Sequence, residues 1–242
     1  MSNDKTNPTG IPTDIDPSKY GYDLYPQRWK KREQSFSDML LGRNLETERI
    51  KCEGRVYDCL KTNRLVRLMM SALKSAGCPI DIRRHIACEP CDNSVTGGYD
   101  PIMNQIVVCN QTSSSIVPGV LAHEMIHMFD YCVHKVDFKN IDHVACTEIR
   151  AANLTHCSFM SAFMQGDVTP FNFRKLHQDC VKTKALHSIL AVRDVTEEQA
   201  VAVIERVFPT CYSDLEPIGR RLKRNSNDID KAYREGFYYG YV

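Results

Sequence analysis

Residues 120–132 read VLAHEMIHMFDYC, a run that holds the pattern His-Glu-x-x-His at positions 123–127. Positions i and i+4 of a helix share one face, so His123 and His127 present both imidazoles to a single point. Two ligands of a tetrahedral zinc need that placement. Glu124 lies beside the first imidazole and can take a proton from an activated water without binding the metal itself. Chance yields the pattern in about one or two chains in a hundred of this composition. The flanking residues VLA, MI and MF are strongly apolar, however, which predicts a buried helix. Two buried imidazoles without a partner are costly, so the helix is expected to carry one zinc ion rather than two idle histidines.

Three protein ligands and an open position define a catalytic zinc rather than a structural one. The candidates for the third ligand are Asp130, His134, Asp137, His143 and Glu148. Asp130 is on the His127 face, but one turn further along the same helix a carboxylate reaches the metal poorly. Its expected role is to accept an N–H from a ligand imidazole or to cap nearby backbone. Glu148 follows His127 by 21 residues, in the middle of the next predicted helix. From there it can project back across a helix–loop–helix, the two-His-one-Glu arrangement of gluzincin peptidases. His143, at the start of that helix, is the alternative third ligand.

Outward from this motif, the 242 residues suffice for one sizeable core. A net charge of +1 gives no basic field for nucleic acid. No window approaches the roughly 18 consecutive apolar residues of a membrane-spanning helix. The first 20 residues carry Asp4, Asp14 and Asp16 and no apolar core, so they read as neither a secretory signal nor an Arg-rich presequence. Eleven cysteines begin only at Cys52. They read either as buried thiols with a zinc cluster of Cys52, Cys59, Cys88 and Cys91, or as up to five disulfides with one thiol left over. Only one pair of that cluster has Cys-x-x-Cys spacing, so its signal is weak.

Along the chain, residues 1–45 read as a disordered or loosely docked leader. Residues 46–220 form the predicted metalloprotease domain, and 221–242 a C-terminal tail on the surface. A helix is predicted over 61–77 with Gly77 as its cap, from the spacing of Leu65, Leu68, Met69, Ala72 and Leu73. A β-prone stretch follows over 81–110, with Gly97-Gly98 as a turn and IVVC (106–109) as a short buried strand. That strand is expected either to offer an edge to an extended substrate or only to pack against the motif helix, since nothing in the sequence marks it as an edge. The polar run 111–115 is expected to cap the motif helix through about 131, and Asp142 the next, 143–164. A further helix covers about 172–191, and another runs from Thr196, where Thr196 and Gln199 match the capping box, to Phe208 before Pro209. The fold class is α+β: a small sheet followed by a predominantly helical second half.

Five blocks make the pattern more specific than the motif alone: GGYDPIMNQIVVCNQ (97–111), VLAHEMIHMFDYC (120–132), NIDHVACTEIRAANL (140–154), QDCVKTKALHSI (178–189) and VFPTCYSDLEPIG (207–219). In order and spacing, residues 45–220 resemble the family of mitochondrial inner membrane metalloproteases that process and assemble ATP synthase. The leader segment YGYDLYPQR (20–28) is similar to that family's N-terminal region. The resemblance implies a zincin-like domain with His123 and His127 on Zn2+ and Glu124 catalytic. It also implies a protein peripheral to the inner membrane on the intermembrane-space side, with its cysteines in disulfides. The implied substrate is the precursor of ATP synthase subunit 6, from which an N-terminal propeptide is removed. The implied partners are ATP synthase membrane-sector subunits, whose assembly is assisted by a chaperone-like role. The competing expectation is a non-proteolytic assembly chaperone or interaction protein, including a nuclear role with the Ku DNA-repair protein.

Overall fold

A computed structural model describes residues 45–91, 95–157, 173–223 and 226–241; the expected leader and the end of the expected 143–164 helix lie outside them. The chain enters through α1 (Leu45–Thr62) and α2 (Arg64–Ser75). The single helix expected over 61–77 is thus two, parted at Asn63, whose side chain accepts from the Val66 N–H at 3.1 Å and starts α2. The predicted apolar stripe is the buried face of α2, and Gly77, at φ 84°, makes the left-handed turn after it.

A short helix, α3 (Ile82–His85), leads into β1 (Ile86–Glu89), β2 (Gly97–Asp100) and β3 (Gln105–Cys109). The strand order is β1-β3-β2, with β3 parallel to β1 and antiparallel to β2. Two expectations change here. The IVVC strand is central rather than an edge; among the described residues the edge beside the motif helix is β2. Gly97-Gly98 is strand rather than turn, and the chain reverses instead at residues 101–104, with Asn104 at φ 48°. A Cβ on Gly97 would stand 2.5 Å from Val120 Cγ1 and 2.6 Å from the Val107 carbonyl oxygen, so glycine there lets β2 pass close to the next helix.

That helix is α4 (Val117–His134), with Pro118 in its first turn and no side-chain cap from the polar run before it. Twelve of its residues are buried, so it is a core helix as its apolar flanks predict. Next come α5 (Ile141–Ala151), a wide π-helical turn (Ala152–His156), α6 (Phe173–Val192), α7 (Glu197–Ser213) and α8 (Asp228–Gly236). The cap of α5 is Asn140, which accepts from the Asp142 N–H at 2.9 Å; Asp142 sits in the first turn instead. The Thr196–Gln199 capping box of α7 is present. Pro209 does not end α7: Phe208, Cys211 and Tyr212 are buried around it, and that burial outweighs one missing N–H. Residues 228–236, within the expected tail, form α8, where a Cβ on Gly236 would come within 2.8 Å of Leu68 in α2.

The architecture is α+β, a three-stranded sheet with helices in the majority. It has two main apolar cores. The first gathers α1, α2, the sheet and α4 around Phe129, Met125 and Ile106. The second gathers α5, α6 and α7 around Ile149, Ile189 and Ile204. Ten cysteines are paired: Cys52–Cys88, Cys78–Cys132, Cys91–Cys109, Cys146–Cys211 and Cys157–Cys180. Cys59 is a buried free thiol. The disulfide reading therefore holds and the four-cysteine zinc cluster does not form.

Candidate metal centre

The motif sits at the seam between the two cores. His123 and His127 point from α4 towards α5, where Glu148 meets them. His123 Nε2 is 3.4 Å from Glu148 Oε2, and His127 Nε2 is 3.4 Å from Glu148 Oε1. One ligand atom from each of the three lies within 4.8 Å of the others. His123 Nδ1 and Glu148 Oε2 are buried without a hydrogen-bond partner. Two imidazoles and a carboxylate converging on one point, with a carboxylate oxygen left unpaired, fit a divalent metal ion.

The other sequence candidates lie elsewhere. His143 is exposed and accepts the Asp137 N–H at 3.1 Å, so it faces away from the cluster. His134 lies at the end of α4 and pairs with Glu216 at 3.9 Å. Asp130 is almost fully buried and reaches His127 only through an intermediary that sequence reasoning missed. Thr147 Oγ1 donates to Asp130 Oδ2 at 2.7 Å and stands 2.9 Å from His127 Nδ1. Arg150 holds both Asp130 oxygens, at 2.8–3.1 Å, so the carboxylate accepts throughout. With its one proton committed to Asp130, the Thr147 hydroxyl accepts from His127 Nδ1–H. The Nε2 lone pair of His127 is therefore left to face Glu148 and the metal position. Arg150 also donates to the Glu216 carbonyl at 2.7 Å and pairs with Asp214, so Asp130 is anchored beyond α5.

Electrostatics in the buried cluster follow from the same neighbours. Burial pushes the Glu148 carboxyl up, but the imidazoles of His127 and His123, with a hydrogen bond from Ser188, overcome it and hold it at about 2. Burial brings His127 down to about 4 against the pull of Glu148. Burial pushes His123 down, but the neighbouring Glu148 and Glu124 carboxylates outweigh it and raise it. Burial lifts Glu124 to about 7, although His123 pulls it down.

The cluster opens into a cleft of ≈ 400 Å³. One wall is β2, with Gly97, Gly98 and Tyr99; the other is α6, with Lys184, His187 and Ser188. His156, at the end of the π turn, stands between them with its ring centroid 4.7 Å from that of His123. Neither Thr147 nor His156 carries a sequence signal of its own: one is a hydroxyl beside a motif histidine, and the other owes its place to an irregular turn.

The Peptidase M76 family model matches residues 50–219. A zebrafish (Danio rerio) mitochondrial inner membrane protease ATP23 homolog is 40% identical over 219 residues, covering 89% of this chain and 83% of that one. The human (Homo sapiens) protein of the same name is 41% identical over 193 residues, 78% and 77% of the two chains. The fission yeast (Schizosaccharomyces pombe) mitochondrial inner membrane protease atp23 is 36% identical over 174 residues, 70% and 92% of the two. No solved structure matches. Among the described residues no helix is long and apolar enough to cross a membrane.

Proposed function

We propose, from the premise that this chain belongs to the Peptidase M76 family and is a protease, that it is a zinc endopeptidase of zincin type. In this reading residues 46–220 form the catalytic unit, and His123, His127 and Glu148 hold one Zn2+. The observation that carries it is the convergence of those three side chains, with Glu124 beside them, at the floor of a cleft bordered by a strand edge. Bound zinc supplies Lewis acidity, which acidifies water and polarises a scissile carbonyl. The chain's own groups do the rest. Glu124 accepts the proton of the attacking water and later delivers it to the leaving amine. Thr147, Asp130 and Arg150 keep His127 in the tautomer that offers Nε2. The β2 edge lays out an extended peptide by main-chain pairing, the part expected of the IVVC strand.

The names of the relatives supply the setting: a protein working at the mitochondrial inner membrane. Five disulfides accord with an oxidising compartment, so the intermembrane-space face is the proposed location. The proposed substrate is the precursor of ATP synthase subunit 6, with assistance to the membrane sector as an accompanying role. The test is Glu124→Gln. It should keep metal and fold while lowering cleavage about 10²–10⁴-fold, and should leave any assembly role intact. Normal trimming by that variant defeats the assignment of Glu124, and loss of assembly together with cleavage denies a separate chaperone role.

A further inference from the structure

We propose that His156 is a further catalytic residue, donating a ring N–H to the scissile carbonyl oxygen as charge builds on it. This rests on the peptidase reading above. In an unbroken helix, residue i+7 returns to the face of residue i, so position 155 would lie above Glu148. The π-helical turn Ala152–His156 absorbs one extra residue and brings His156, at i+8, onto that face instead. The next residue, Cys157, is bonded to Cys180 of α6, which fixes the end of the turn against the opposite cleft wall. His156 is thus placed by a wide turn and a covalent strap, not by the regular helix.

Its surroundings leave it free for a ligand. The ring packs at 4.7 Å and 52° against His123, yet His156 is not a member of the group whose donor atoms converge. The described residues give its ring no hydrogen-bond partner, and it is exposed on the cleft wall. A neutral imidazole still carries one N–H to give. In the addition step the water oxygen bonds the carbonyl carbon, the C=O π pair moves onto oxygen, and Glu124 takes the water proton. His156 hydrogen-bonds the oxygen that gains charge and keeps its own proton. In the collapse the C=O re-forms, the C–N bond breaks, and the proton on Glu124 passes to the amine nitrogen. A donor positioned beforehand for that oxygen stabilises the transition state more than the ground state.

The test uses the purified zinc-loaded chain, a quenched fluorogenic peptide that it cleaves, and the phosphinic isostere of that peptide as a tetrahedral mimic. His156→Phe keeps a ring against His123 and removes the N–H; His156→Gln keeps an N–H donor. The Phe variant should retain one zinc per chain and lose about 100-fold in kcat with KM within about twofold. The phosphinic isostere should weaken in parallel, while the uncleaved peptide bound to the Glu124→Gln background should not. The Gln variant should recover about tenfold of the loss. Wild-type kcat in the Phe variant, equal weakening of isostere and substrate, or no recovery with Gln overturns the proposal. Loss of zinc from the Gln variant overturns it too, by making His156 a support of the metal. If the Phe variant alone fails to hold zinc, His156→Ala against His156→Gln gives the same comparison. Lys184→Met, on the α6 wall, should keep the wild-type ratio of isostere to substrate affinity; losing that ratio there would move the donor to Lys184. A wild-type chain without metal-dependent cleavage would strike the peptidase reading itself, independently of His156.

Discussion

The two cores and the seam between them are held by different means. Three disulfides lie within the sheet-containing half and two within the α5–α7 half; none joins one half to the other. The seam is held by the α4–α5 packing, by Phe138, which touches both cores, and by buried polar groups. Those groups are the two motif histidines and Asp130 on one side, and Thr147, Glu148 and Arg150 on the other. The candidate metal centre is therefore also a joint. The spacing of His123, His127 and Glu148 reports how α5 sits on α4, while the disulfides keep each half intact on its own.

The largest effect is expected where the joint loses a buried charge. Asp130→Ala takes from Arg150 its buried carboxylate partner at the seam and frees the Thr147 hydroxyl, so stability should fall by about 3–5 kcal/mol in denaturant melts. A loss below about 1 kcal/mol would mean that Asp214 and the Glu216 carbonyl hold Arg150 well enough alone, and that the seam rests on apolar packing. Next in size is the covalent contrast. Replacing Cys146 and Cys211 together by alanine should cost about 2–5 kcal/mol. Hydrogen exchange should then speed up in α5–α7 and leave β3 and α2 protected. Uniform loss of protection would show one cooperative unit rather than two stapled halves.

A smaller and sharper test addresses the tautomer. Thr147→Val keeps the shape of the side chain but gives His127 Nδ1–H nothing to bond. Zinc affinity measured by chelator competition should drop about 10–100-fold, and Thr147→Ser should restore it. Equal affinity in all three would mean that burial alone orients the ring.

What could be read from the sequence follows the range of each signal. The α4 helix was legible because its apolar flanks and two histidines share one short period, and the capping box of α7 because it is local by nature. The convergence of Glu148 with the two histidines depends on the α4–α5 crossing, which helix spacing suggests but does not fix. The Gly97-Gly98 reading failed because a glycine pair marks a turn only when nothing crowds the strand; here Val120 does. Pro209 misled because helix propensity is a small term beside the burial of Phe208 and Tyr212. Thr147 and His156 stayed hidden, since one works through a second residue and the other sits in a turn whose width no period encodes.

The smallest expected effect concerns the cysteine that takes no part in a disulfide. Cys59, on α1 in the sheet-containing half, is buried, and burial pushes its thiol up to about 11. At pH 8 the thiolate is scarce and shielded, so iodoacetamide should leave the native chain unlabelled. Unfolding without reductant should add a single adduct by intact mass; a second would mean that one disulfide is open and that its half is held less firmly than the contrast requires. Because the folded thiol titrates above its unfolded value of 9.0, its share of stability is complete below pH 9 and fades as pH rises through about 11. The native chain should therefore show a shallow alkaline decline over that range which Cys59→Ala lacks. An identical decline in both chains would place the alkaline sensitivity in the buried tyrosine Tyr99, which also lies in the sheet-containing half and whose phenol burial likewise raises.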